Sequence, residues 1–157
     1  MKYTVLLPLV LAAHLSGCAV QPSSPESTFV LTNVSQTDQI HPFVKAAKNV
    51  LIRELPPASS KFHLLEPDDL FGTELVNTLR TEGYSVVETP RVTQIDPATG
   101  EPMKVAIPDD AKHLVYVLDS IGKDYYRLLL KINEKTYGAL FALTPTGFVQ
   151  SSPWSAM

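Results

Sequence analysis

One thiol stands in this 157-residue chain, at Cys18, directly after Leu15-Ser16-Gly17. A thiolate is the best side-chain nucleophile for taking up a lipid as a stable thioether. Ser16 and Gly17 are small enough to enter a narrow peptidase cleft. The other residues equipped for chemistry are His41, His63 and His113, the paired carboxylates Asp68-Asp69 and Asp109-Asp110, and the aromatics Tyr137, Phe148 and Trp154. Each of these histidines has a carboxylate within a few residues, as His63 has Glu66. The spacing is not that of a metal pair, and a strand would splay the two apart, so surface histidines are the expectation. Asp68 or Asp69 suits a helix N-terminus, where a carboxylate accepts orphan N–H groups. Asp109-Asp110 reads as the polar end of a loop. A glycosidase would need two carboxylates separated across a cleft, which spacing alone does not provide. Tyr137, Phe148 and Trp154 fit a sheet face better than a ligand groove. Gly-x-Ser-x-Gly, His-Glu-x-x-His and phosphate-cradling glycine loops are absent. The expectation is a non-enzyme with no catalytic residue, cofactor or metal.

The segment before Cys18 places its chemistry. Lys2 gives a positive start, and residues 3–15 are mostly apolar, interrupted by Pro8 and His14. That is the layout of a cleaved export signal, too short for a transmembrane helix of about 20 residues. Leu15-Ser16-Gly17-Cys18 also resembles the lipobox of bacterial lipoproteins. The resemblance implies diacylglyceryl transfer to Cys18, cleavage before it and acylation of the new amine. Residues 1–17 are then a signal peptide, and the mature protein is anchored to the membrane through acyl chains on Cys18. An ordinary signal peptide, or a buried cysteine, is the alternative. Ala19 stands where an Asp would mark inner-membrane retention, so the expected location is the periplasmic face of the outer membrane, with the inner membrane as the alternative. Lipidation leaves no thiol for disulfides or zinc. The formal charge is −3, and no basic block is present, which disfavours nucleic acid as a partner.

Length allows one domain. Residues 18–27, containing Pro22, Ser23, Ser24 and Pro25, read as a flexible tether. Residues 28–157 are the expected single periplasmic domain. Residues 28–34 suit a short strand or a docking segment. Phe43, Ala46, Ala47, Val50 and Leu51 recur at helical spacing over 42–55, with Pro42 expected in the first turn. Phe71, Leu75, Val76 and Leu79 define a second helix, closed by Gly83. Strands are expected at 61–66 and 84–88. Residues 89–112 hold Pro90, Pro97, Gly100, Pro102 and Pro108, with Asp96-Pro97-Ala98-Thr99-Gly100 as a turn. A loop this long is functional or disordered, and it is the first place to expect a partner surface. The remainder alternates as a β-meander, with 114–118 apolar on both faces and therefore central. The expected class is α+β, two helices on one face of a largely antiparallel sheet.

Four features together resemble the TrbH family of conjugal transfer lipoproteins. They are the lipobox; Leu55-Pro56-Pro57-Ala58 followed by Lys61-Phe62; Phe71-Gly72-Thr73-Glu74-Leu75 through Thr81-Glu82-Gly83-Tyr84; and Val115-Tyr116-Val117-Leu118-Asp119 followed by Tyr126-Arg127-Leu128. The similarity covers most of residues 43–150. It implies an accessory component of a plasmid-encoded type IV secretion apparatus, docking onto channel subunits, with Cys18 as the only functional position carried over. A lipoprotein of another envelope machine, such as a secretin pilot or cell-wall synthase activator, is the alternative. A small-ligand binder is a third.

Overall fold

The computed structural model describes residues 26–30, 37–92 and 94–157. Its elements run β1 (Thr28–Val30), α1 (Thr37–Glu54), a 3-10 turn (Pro57–Ser59), β2 (Lys61–Leu65), α2 (Leu70–Thr81), β3 (Ser85–Thr89), β4 (Lys112–Ser120), β5 (Tyr125–Ile132), β6 (Lys135–Thr144), β7 (Gly147–Gln150) and β8 (Ser155–Ala156). The strands form one mixed sheet in the order β3-β2-β4-β5-β6-β7, with β1 on β4 and β8 on β6. The α+β class is as expected from the sequence.

α1 buries Ile40, Phe43, Val44, Ala46, Ala47, Val50 and Leu51, the apolar stripe that its periodicity requires. It starts earlier than expected, so Pro42 lies inside it rather than in its first turn. A proline there removes one backbone donor; the buried stripe offsets that loss. α2 begins at the cap Asp69, whose Oδ1 accepts from the Gly72 N–H at 2.8 Å. It ends where Gly83 takes φ +91, a left-handed conformation that glycine adopts without strain. Tyr84 follows and donates its hydroxyl to the Leu55 carbonyl at 2.7 Å. Lys48 pairs with Glu82 at 2.9 Å. The Gly-Tyr ending of α2 is thereby tied to the end of α1.

Register assigns the faces of the sheet. Tyr116 pairs with Leu130 and Leu130 with Tyr137; Leu118 pairs with Leu128 and Leu128 with Ala139. These residues share one face with Leu114 and Phe141, and all are buried. Phe43 of α1 meets Phe141 and Phe148 with ring centroids 4.4 and 4.9 Å apart, and Phe71 of α2 meets Tyr116 edge-on at 5.1 Å. Each fully buried side chain of this size contributes about 1.5–3 kcal/mol.

The antiparallel expectation describes β4 to β8, whereas β1, β2 and β3 pair in parallel. This changes the meaning of residues 90–111. β3 and β4 both run parallel to β2 and flank it, so the chain must return from the C-terminal ends of these strands to their N-terminal ends. α2 makes the β2–β3 crossover on the helical face. The return moves across the sheet in the opposite direction, from β3 past β2 to β4. Both ends of the crossover are tied to β2. Arg91 donates to the Glu66 carbonyl at 2.7 Å and pairs with Asp68 at 3.0 Å. Lys61 pairs with Asp110 at 3.1 Å.

Candidate functional site

Cys18 lies outside the described residues, as do most of the tether and residues 31–36. The other residues singled out by their chemistry are distributed as follows. His41 is exposed on α1. His63 and His113 are brought together by the β2–β4 register, their rings stacked at 5.3 Å and 27°. His63 Nε2 is 2.7 Å from Thr89 Oγ1. Burial, and then the adjacent His113, hold His63 below the usual histidine range.

The carboxylates are structural. Asp69 caps α2 through Oδ1, and its Oδ2 accepts from the Tyr116 hydroxyl at 2.5 Å. Burial, and then that bond to Asp69, push the Tyr116 phenol far above its ordinary pKa, so it stays a donor. Asp110 is held below the usual carboxylate range by the Lys61 ammonium donating to it.

Of the three aromatics, Phe148 joins the core against Phe43 and Tyr126. Tyr137 belongs to the same core and Trp154 packs against it, as expected of a sheet face, and both also line a depression at the end of α1. Two cavities of about 290 and 430 Å³ adjoin there, sharing Glu54, Lys135 and Tyr137. The Tyr137 hydroxyl donates to Glu54 at 3.3 Å, and Arg53 donates to the same carboxylate at 2.9 Å. Arg53 holds Glu54 below the usual range; burial, and then Glu54, raise Tyr137. The carboxylate is thus engaged by groups of this chain. Among the described residues no cluster of three or more His, Cys, Asp or Glu could hold a metal ion.

The crossover 90–111 is more distinctive. Within it the chain forms a small hairpin: Ile95 bridges Pro102, Met103 N–H donates to the Gln94 carbonyl at 2.7 Å, and Asp96 N–H donates to Glu101 at 2.8 Å. The turn is closed by Gly100 N–H on the Asp96 carbonyl at 2.7 Å, and the Asp96 carboxylate accepts from Ala98 N–H at 2.8 Å. Around this framework Val92, Ile95, Met103 and Ile107 are 78, 54, 56 and 43 % exposed. The turn at 96–100 was legible in the sequence, but these four residues were not singled out. Ile95 before Asp-Pro-Ala-Thr-Gly and Met103 shortly after it were the available signal.

Residues 23–157 match the family described as conjugal transfer protein TrbH. The chain belongs to the TrbH family of conjugal transfer proteins, as the sequence features implied. No curated protein and no solved structure matches it. No helix among the described residues is long and apolar enough to cross a membrane.

Proposed function

We propose that this protein is a lipid-anchored, non-catalytic accessory component of a conjugative type IV secretion apparatus, held at the periplasmic face of the outer membrane through Cys18. The family match over residues 23–157 carries this reading. Leu15-Ser16-Gly17-Cys18, immediately upstream, supports the anchor, and Ala19 after the cysteine supports the outer membrane. The non-catalytic role is supported by the way Asp69, Asp110 and Glu54 are each engaged by structural partners.

The anchor works by confinement. A single acyl chain holds a protein only marginally, and several hold it stably. Between Cys18 and Glu26 the chain can span at most about 29 Å. The body starts there: Ser27 Oγ accepts from the Tyr116 N–H of the central strand at 3.2 Å. The domain is therefore confined to a thin layer above the bilayer, which raises its effective concentration for channel subunits fixed in the same layer.

Substitution of the cysteine tests this. Cys18→Ser is expected to lose incorporation of labelled palmitate, to leave the membrane fraction and to lower mating frequency, with the thermal midpoint of the domain unchanged. A Cys18→Ser protein of mature length that stays in outer-membrane fractions would rule the lipid anchor out.

A further inference from the structure

We propose that the hairpin in the β3–β4 crossover is the docking element, and that the protein surface it enters is an apolar groove with a basic rim. The inference rests on the accessory-component reading above and specifies its contact site. Three observations carry it. The hairpin is ordered by its own backbone bonds, and the crossover is fastened at both ends of β2, so docking requires little further ordering of the backbone. Val92, Ile95, Met103 and Ile107 present apolar surface that the chain leaves uncovered. The charge of the segment is one-sided once its internal pairs are removed. Arg91 is taken by Asp68, and Asp110 by Lys61. Asp96, Glu101 and Asp109 then stand against Lys104 alone. Ile95 shares one face of the hairpin with Pro102, while Asp96, Glu101 and Met103 alternate to the other, so the tip carries apolar side chains on both faces and acidic ones on one. Complementary potential favours a partner whose apolar groove is bordered by Lys or Arg. The acidic face disfavours an anionic lipid surface, and it disfavours a second copy meeting through the same tip.

The test uses the full-length protein in donor cells that carry the transfer genes. A photoreactive benzoyl-phenylalanine is placed at Ile95 or at Met103, and at Ile121 as a control that is also exposed. The expected result is one adduct common to Ile95 and Met103 and absent from Ile121. The crosslinked peptide of the partner should carry Lys or Arg beside apolar residues. Asp96→Lys with Glu101→Lys should lower adduct yield about fivefold or more, as reversing rim charges does. The thermal midpoint of that variant is measured to establish that the fold is kept. No adduct at Ile95 and Met103, an adduct equally strong at Ile121, an acidic partner peptide, or a yield indifferent to the charge reversal overturns the proposal. Adducts to phospholipid or to a second copy of this chain also overturn it. Fractionation of the same cells separates the two readings. Hairpin adducts formed by a protein that is not in the membrane fraction remove the anchor and keep the docking element.

Discussion

At the residue scale, Gly72 leaves no room for a side chain. A Cβ built there would lie 1.9 Å from the Tyr116 hydroxyl oxygen and 2.6 Å from Pro67 Cβ. The first contact is with a phenol fixed by its bond to Asp69, so neither side can yield without loosening the cap of α2. Gly72→Ala is expected to destabilise the domain by about 3 kcal/mol, read as a lower urea midpoint. Tyr116→Phe removes the hydrogen bond while keeping the ring against Phe71, and should cost about 1–2 kcal/mol. Because the two positions touch, the double variant should lose less than the sum of the two. Additive losses would mean that Gly72 is constrained by Pro67 rather than by the phenol. The sequence showed a glycine inside a helix, where glycine is unfavourable. The ring that demands it comes from a strand more than forty residues away.

At the element scale, α2 and the β2–β4 junction behave differently. α2 was legible in detail: its cap, its buried Phe71, Leu75, Val76 and Leu79 and its glycine stop follow from local pattern. Leu75→Ala should cost about 2–5 kcal/mol, and an unchanged thermal midpoint would contradict its burial at 0 % exposure. The junction of β2 with β4 was not legible, because it joins strands distant in sequence through only Phe62↔Lys112 and His63↔His113. The stacked imidazoles sit on this short ladder. His63 is held below the usual histidine range when folded. The unfolded chain therefore binds its proton first as pH falls, and stability rises with pH in this window. The contribution is whole above the ordinary value near 6.5 and diminishes below it. Urea midpoints should drop between pH 7.5 and pH 5, and His63→Gln should flatten the slope. An equal slope in the variant would assign the acid sensitivity to other groups.

At the scale of the whole molecule, one continuous core runs from Phe43 of α1 through Tyr116 of β4 to Phe141 of β6. We expect residues 28–157 to unfold as one cooperative unit despite the short β2–β4 ladder. Fluorescence of Trp154, the only tryptophan, reports the C-terminal strands, and far-UV circular dichroism reports the helices. Coincident urea transitions are expected; separated transitions would divide the domain at that ladder. The sequence by itself determined the apolar faces of both helices, the cap and stop of α2, the alternation of the meander and the α+β class. All of these depend on residues close together in the chain, where periodicity and capping chemistry act. Only the tertiary structure decided that β2 and β3 run parallel to β4 and that residues 90–111 are an obligatory crossover rather than an optional loop. It alone paired His63 with His113, and it alone left Val92, Ile95, Met103 and Ile107 facing water. Strand direction and exposure depend on which distant segment lies alongside, and a local pattern of apolar residues is the same for either direction.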